Sequence, residues 1–112
     1  MRRFSGADGI RDEGVLAASL NRPYATFGGV DLFPGPEDKA AALLHGIVTG
    51  HPFVDGNKRT GYALARLLLQ DAGLDIRASQ AEKYDLVIRV ATGALDAEGV
   101  RNWLHGHVVP LR

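Results

Sequence analysis

The sequence of 112 residues contains no cysteine. Without cysteine, a chain can form no disulfide framework and no thiolate nucleophile, and it cannot bind zinc through sulfur. Its N-terminus carries Arg2 and Arg3 but no apolar segment after them, so the pattern of a secretory signal is missing. These features fit a reducing compartment, and we expect a cytoplasmic protein.

The chain also has no net charge, because 13 basic and 13 acidic residues cancel. It has no run of lysine or arginine, so we do not expect direct nucleic-acid binding. No segment approaches the ~20 apolar residues that span a bilayer, so no membrane partner is expected. The length predicts a single domain over residues 1–112, and the hydrophobic fraction of 46% is enough for one core.

The sequence does contain a succession of helix signals. They predict five helices: Glu13 to about Asn21, Pro36 to Thr49, about Asn57 to Ala72, the capping box at Ser79 to Gly93, and Asp96 to the short tail at Val108. A glycine pair at residues 28–29 could turn a small hairpin. The sum is an all-α domain of about five helices with one small hairpin.

Two of these helices carry predictions about burial. Between Gly61 and Leu69 only Arg66 interrupts an apolar run, so this central helix should be surrounded by protein. In the next helix the apolar positions are Tyr84, Leu86, Val87, Ile88, Val90 and Ala91. Tyr84 is therefore expected on the inner face.

A polar loop precedes the central helix and reads His-Pro-Phe-Val-Asp-Gly-Asn-Lys-Arg over residues 51–59. A helix N-terminus presents unpaired N–H groups and the positive end of the helix dipole, which suits an anion. Lys58 and Arg59 lie in the first turn, where each positive charge costs roughly 0.3–1 kcal/mol. A bound anion would reverse this cost, so the local conflict indicates a functional site.

The rest of the loop supplies the other groups that phosphoryl chemistry needs. Asp55 is a single carboxylate of the kind that binds Mg²⁺ together with phosphate oxygens and waters. Gly56 lets the backbone approach a ligand closely, and Asn57 can cap the helix or donate to a phosphate. His51 can transfer a proton near neutral pH. Together these groups fit phosphoryl or nucleotidyl transfer to a hydroxyl.

Taken singly, each residue also has a purely structural interpretation. A histidine at a helix–loop junction usually bonds to backbone, and Asp55 or Asn57 could simply be caps. The two cations that follow would be solvated surface, and Phe53 is expected to anchor the loop in the core. The combination of different chemistries within nine positions is what indicates a site.

The loop resembles the signature of the Fic/Doc family, specifically its Doc (death-on-curing) branch. The resemblance extends over nearly the whole chain, through residues 9–14, 27–33, 39–44 and 91–104. It implies a compact Fic-type helical fold. It also implies that the stretch Tyr24–Pro34 is a flap that holds a target segment in extended form by strand addition.

The resemblance also implies a role for each loop residue. His51 would be the general base that takes the proton from a Ser or Thr hydroxyl of a target protein, and Asp55 would hold Mg²⁺ on the nucleotide phosphates. Those phosphates would be bound by Gly56, Asn57, Lys58 and Arg59. The implied cofactors are ATP and Mg²⁺, and the implied target is of the translation elongation factor class.

Two positions differ from the adenylylating members of the family, which carry glycine in place of Lys58 and a second arginine in place of Tyr62. Lys58 would fill the space of the inner phosphates, and Tyr62 could not clamp them. The nucleotide is therefore expected in reverse, with its γ-phosphate at the hydroxyl, as in a kinase. Arg66 has a different spacing and is not assigned the clamping role.

Two features of related chains are missing from this sequence: a further helix at the start and a self-inhibitory motif. Doc-like chains usually have a further helix before the counterpart of residues 2–6, so the first family helix is expected to be missing here. Self-inhibited Fic proteins place a Ser or Thr four residues before Glu-Gly or Glu-Asn, whereas Ala94 precedes Glu98-Gly99 in this chain. Inhibition is therefore expected from a separate antitoxin of the Phd type.

Three functions stay open at this point. The first is a Doc-like toxin of a toxin–antitoxin pair that arrests growth by phosphorylating a translation factor. The second is a protein adenylyltransferase. The third is a catalytically inert module that binds an antitoxin or a regulator of transcription. The intact loop argues against the third, and the missing first helix argues for it.

Overall fold

The computed structural model describes residues 9–112. The expectations about Arg2, Arg3 and the first family helix lie outside these residues. Within the described range the chain forms five α-helices: α1 (Glu13–Asn21), α2 (Pro36–Gly50), α3 (Asn57–Asp71), α4 (Gln80–Ala91) and α5 (Ala97–His107). The all-α prediction of about five helices is confirmed. None of the described helices combines the length and the apolar character that crossing a membrane requires.

The helix starts follow the capping signals of the sequence. Asp12 and Asp96 each accept a hydrogen bond from the backbone N–H three residues on, at 3.0 and 2.8 Å. Ser79 and Glu82 form the reciprocal bonds of a capping box, at 3.1 and 2.8 Å. Each bond satisfies an N–H that the helix itself leaves unpaired. Helix α3 differs, because its cap residue is Gly56, which has no side chain to accept such a bond.

The predicted hairpin is present. Strand β1 (Thr26–Phe27) pairs antiparallel with β2 (Val30–Asp31). Gly28 and Gly29 join them with φ of 61° and 81°, the positive values that a tight hairpin turn requires and that glycine adopts without strain.

A second strand pair was not predicted from the sequence. Strand β3 (Leu74–Ile76) follows α3, and β4 (Val108–Pro110) follows α5. They pair antiparallel with Ile76 opposite Val108. Each strand has only three residues, so neither shows a readable alternation, and the pairing depends on how distant helices pack.

The most completely surrounded helix is α2, which contacts each of the other four helices. Its core residues are at most 6% exposed: Ala40, Ala41, Ala42, Leu43, Leu44, Ile47 and Val48. The prediction that α3 would be surrounded is therefore wrong. Helix α3 buries Gly61, Ala65 and Leu69, which recur every four residues on one face, and Leu67 on another face is 59% exposed.

Helices α2 and α3 approach closely at Gly61. A Cβ atom at this position would lie 3.0 Å from Val48 Cγ2 and 3.4 Å from Ile47 Cβ. Glycine therefore lets the two helices pack together without a clash. Because the loop over residues 51–56 joins these two helices, their packing fixes the distance that the loop must span.

We predict that Gly61→Val lowers the free energy of unfolding by about 1–3 kcal/mol, because the added side chain overpacks the contact between α2 and α3. The matched control is Ala63→Val on the exposed side of the same helix, where only the lower helix propensity of valine, up to about 0.7 kcal/mol, should count. Urea denaturation of both variants measures the difference. Equal losses would show that the contact tolerates a side chain at position 61.

Candidate active site

The polar loop begins with a residue in an uncommon conformation. His51 caps the C-terminus of α2 with φ 51° and ψ 53°, and it is the one non-glycine residue with positive φ among residues 9–112. The left-handed region costs an L-residue about 1–2 kcal/mol. The surrounding structure must therefore hold His51 in place, while its side chain is exposed to solvent.

Arg11 supplies part of that hold. Its Nε donates to the carbonyl oxygen of His51 at 2.7 Å, and its Nη2 donates to the carbonyl oxygen of Gly50 at 3.0 Å. A cation at the C-terminus of a helix is favourable, because it meets the negative end of the dipole and satisfies carbonyls that have no partner within the helix. This role of Arg11 was not predicted from the sequence.

The backbone around Arg11 is bonded to the same loop. The N–H groups of residues 11 and 12 both donate to the carbonyl oxygen of Pro52, at 2.7 and 3.0 Å, and Val54 N–H donates to the carbonyl oxygen of Gly9 at 3.0 Å. Pro52 is fully buried and Phe53 only partly. The anchor of the loop is therefore Pro52 rather than Phe53, the residue named from the sequence.

Asn57 closes the loop instead of capping α3. Its Oδ1 accepts from the N–H of Phe53 at 2.9 Å, and its Nδ2 donates to the carbonyl oxygen of Phe53 at 3.0 Å. The capping role expected for Asn57 is wrong, because the left-handed Gly56, at φ 74°, occupies the cap position. An amide nitrogen carries two hydrogens, so donation to a phosphate stays a prediction.

The N-terminus of α3 is open toward an anion. Its cap makes no side-chain hydrogen bond, and no acidic residue lies in its first turn. Lys58 and Arg59 are exposed, and neither forms an ion pair with any residue of the described range 9–112. Free N–H groups, the dipole and two cations thus act in the same direction.

Asp55 has the open oxygen that a metal ligand needs. Its Oδ1 accepts from the N–H of Gly56 at 2.8 Å. Its Oδ2 takes part in no hydrogen bond or ion pair within residues 9–112, and the side chain is exposed. One carboxylate beside a phosphate-binding helix end fits Mg²⁺, which is usually held by one or two carboxylates together with substrate phosphates and waters.

A cleft of about 570 Å³ brings most of the predicted residues together. It lies between the start of α3 and one face of α4, and its walls are Asp55, Gly56, Asn57, Lys58, Arg59, Tyr62, Gln80, Lys83, Tyr84 and Val87. Five of the six predicted site residues therefore share one cavity. The sixth, His51, is not among the lining residues and lies at the other end of the loop.

The wall formed by α4 was missed in the sequence. Tyr84, expected on the inner face, is 67% exposed and lines the cleft. The buried residues of α4 are Leu86, Val87 and Val90. The residues of α4 that line the cleft are at positions 80, 83, 84 and 87, which have the i, i+3, i+4, i+7 spacing of one helix face. Val87 lies where the two sets meet. The sequence did contain a signal for this wall, because Gln80, Lys83 and Tyr84 place an amide, an amine and a phenol on one face of the helix.

Tyr62 stands between the two walls. Lys83 Nζ lies 5.7 Å from the centroid of its ring, close enough for a cation–π contact. Burial is the main cause that raises the pKa of Tyr62 to about 12. The phenol is neutral at physiological pH even at its ordinary pKa of about 10, and the shift keeps it neutral to higher pH. Its hydroxyl oxygen is buried and has no hydrogen-bond partner within residues 9–112, so Tyr62 contributes an uncharged side chain to the wall of the cleft.

Arg66 forms an ion pair with Asp75 outside the cleft. Its Nε and Nη2 donate to the two carboxylate oxygens of Asp75 at 2.7 and 3.2 Å. This hydrogen bond is the main cause that lowers the pKa of Asp75 to about 2. Arg66 is absent from the lining of the cleft, so the positive charge that α3 offers there comes from its first turn.

We predict that a double variant, Lys58→Gln with Arg59→Gln, is more stable than the parent in phosphate-free, low-salt buffer. Each substitution removes a cation that opposes the helix dipole, which is worth roughly 0.3–1 kcal/mol. With tripolyphosphate at about 100 times its dissociation constant, the parent should gain about 2.7 kcal/mol, and the variant should gain far less.

Urea denaturation with and without tripolyphosphate measures both effects, and Arg77→Gln, an exposed cation outside this cleft, is the control. Equal stabilisation of the parent and the double variant by tripolyphosphate would show that the anion binds somewhere else.

Comparison with known proteins agrees with the resemblance. The sequence profile of the Fic/DOC family matches residues 1–69. "Toxin Doc" of Mycolicibacterium smegmatis is 42% identical over 107 residues, which cover 92% of this chain and 81% of that protein. "Protein kinase doc" of Escherichia phage P1 is 32% identical over 105 residues, which cover 91% of this chain and 79% of that protein. The profile includes the polar loop and α3 as far as Leu69, whereas the α4 wall lies beyond it.

Proposed function

The chain belongs to the Fic/DOC family, and on that basis we propose that it is a Doc-like toxin that transfers phosphate from ATP to a Ser or Thr hydroxyl of a protein target. The observation that carries this proposal is the cleft at the start of α3. There an open helix N-terminus, two cations and one carboxylate share one cavity. Within residues 9–112 the cations form no ion pair, and one carboxylate oxygen has no partner. These are the groups that position a polyphosphate and its metal.

In the proposed reaction His51 accepts the proton of the target hydroxyl. The hydroxyl oxygen forms a bond to the γ-phosphorus, the bond from that phosphorus to the β–γ bridging oxygen breaks, and ADP leaves. Lys58, Arg59 and the N–H groups of α3 hold the phosphates, with Asn57 as a further donor. Asp55 would hold Mg²⁺, which, when bound, neutralises charge on the phosphate oxygens.

The choice of phosphate over AMP transfer rests on Lys58 and Tyr62. Both line the cleft, so both can influence which phosphate lies at the loop. Tyr62 is neutral and adds no charge for the inner phosphates, and Arg66, bound to Asp75, does not replace it. The relative named as a protein kinase supports the same choice. Adenylyl transfer is the alternative.

Helix α4 would supply the site for the rest of the nucleotide. The exposed ring of Tyr84 offers a flat apolar surface to a base, and base–aromatic stacking is worth ~1–3 kcal/mol per base in other proteins. Lys83 would add a third cation to the two of the first turn of α3. This assignment explains why a large aromatic side chain of α4 lies in the cleft and not in the core.

The hairpin would hold the target. Strands β1 and β2 expose Phe27 and Val30, at 80% and 68%, and their edges can pair with an extended segment. Lys39 of α2 ties the hairpin to the core, because its Nζ donates to the carbonyl oxygen of Phe33 and lies 3.5 Å from Asp31. A translation elongation factor as the target, a Phd-type antitoxin as the inhibitor and a cytoplasmic location are proposed from the family resemblance and the relatives named Doc.

We predict that γ-labelled ATP labels a protein in a cell lysate and that α-labelled ATP does not. His51→Ala should abolish the labelling, because the hydroxyl then has no base, and His105→Ala, an exposed histidine on α5, should not change it. Autoradiography of the separated lysate reads the result. Label transferred only from the α-position would favour adenylyl transfer. A folded parent protein that neither labels a target nor gains stability with Mg-ATP would favour the inert antitoxin-binding module.

We also predict that Tyr84→Ala weakens binding of Mg-ATP by about 5- to 150-fold, equivalent to ~1–3 kcal/mol, and leaves tripolyphosphate binding unchanged. Lys83→Ala should weaken both ligands, because it removes a charge rather than a ring. Tyr24→Ala is the matched control, since Tyr24 is a tyrosine of similar exposure, 61% against 67%, that does not line the cleft. Calorimetric titration separates these outcomes. An unchanged ATP affinity for Tyr84→Ala would show that the adenine ring does not bind at α4.

A further inference from the structure

The side chain of Arg11 bonds the two carbonyl groups that flank His51. The carbonyl of Gly50 belongs to the peptide plane before the His51 Cα atom, and the carbonyl of His51 belongs to the plane after it. Arg11 reaches both, at 3.0 and 2.7 Å. Because φ and ψ of a residue are the rotations that relate its two flanking peptide planes, one guanidinium group restrains both angles of His51.

His51 needs such a restraint more than most residues. It has a Cβ atom and lies in the left-handed region, which only a few per cent of non-glycine residues adopt, histidine being one of the more frequent. It also precedes Pro52, and the residue before a proline favours extended backbone. Local preference therefore opposes the observed conformation from two sides, and contacts from outside the loop must maintain it.

The position of Arg11 is itself fixed. The backbone N–H groups of residues 11 and 12 both donate to the carbonyl oxygen of the buried Pro52, and the carbonyl oxygen of Gly9 accepts from the N–H of Val54. The segment over residues 9–12 is thus bonded along its length to the loop. A planar guanidinium with divergent N–H groups can satisfy two carbonyls at once with little loss of side-chain freedom, which a lysine ammonium does less specifically.

From this geometry we infer that Arg11 is a positioning residue for His51: it holds the left-handed backbone and so sets the direction in which the imidazole leaves the chain. The inference rests on the proposed function only where it treats His51 as the base. Arg11 does not line the cleft, so its loss should affect the chemical step and leave nucleotide binding intact.

The test compares Arg11→Ala and Arg11→Lys with Asp12→Ala, which removes the cap of α1 on the same segment but not the bonds to the two carbonyls. We expect Arg11→Ala to lower kcat of phosphate transfer by about 10- to 100-fold, as for a catalytic group displaced by about 1 Å, with KM for ATP changed by less than about 2-fold. Arg11→Lys should recover part of kcat. Asp12→Ala should lower the melting temperature, but it should not lower kcat.

Backbone chemical shifts of His51, measured by NMR in each full-length variant, give a second readout that does not depend on activity. They should report positive φ in the parent and in Asp12→Ala, and a shift toward extended backbone in Arg11→Ala. Unchanged His51 shifts in Arg11→Ala would overturn the inference, and so would changed shifts with an unchanged kcat. A parent that transfers no phosphate would refute the proposed function, while the shifts would still decide whether Arg11 holds His51.

Discussion

The site depends on the close packing of α2 against α3. Gly61 allows it, since any side chain there would meet Val48 and Ile47. The loop that joins the two helices must then turn within a few residues, and it does so by using two left-handed residues, His51 at the end of α2 and Gly56 at the start of α3. Glycine adopts that conformation freely, whereas histidine does not, so the first turn is held by bonds from residues 9–12 and the second needs none. The stability of the helix pair and the shape of the site therefore have one origin.

The two ends of the loop have opposite electrostatic tasks. At the C-terminus of α2 a cation, Arg11, meets unpaired carbonyls, which is the favourable sign. At the N-terminus of α3 the cations Lys58 and Arg59 meet the positive end of a dipole, which is the unfavourable sign. The first arrangement is complete within the protein, and the second becomes favourable only when an anion binds. The electrostatics alone therefore support different roles for the two ends: a structural contact at Arg11, and an anion-binding site at Lys58 and Arg59.

Sequence reasoning predicted what local rules determine. Capping residues such as Asp12, Ser79 and Asp96 gave the helix starts, and the glycine pair at residues 28–29 gave the hairpin, because each signal acts over a few neighbours. Two of the predictions that failed concern which face of a helix is buried. Tyr84 suited the core by hydrophobicity, yet α4 is rotated so that Leu86 and Val90 pack inward and Tyr84 lines the cleft. Arg11 was missed because its partners lie 39 and 40 positions away, and the strand pair β3–β4 was missed because it likewise forms only once distant helices have packed.

The distribution of charge around the cleft bears on the orientation that the proposed nucleotide would take. Farther along α3, Arg66 is bound to Asp75. Tyr62 carries a neutral phenol, and burial raises its pKa further, to about 12. The positive field that α3 offers is therefore concentrated at its first turn, next to the loop. The terminal phosphate of ATP carries more negative charge than the phosphates within the chain. In the proposed complex this field would therefore favour the γ-phosphate at the loop and the less charged nucleoside toward Tyr84 on α4. An arginine at position 62 would spread the positive charge along the helix and reduce that preference. On the proposed reaction, the same fold would thus favour transfer of phosphate or of AMP, according to how far along α3 the positive charge extends.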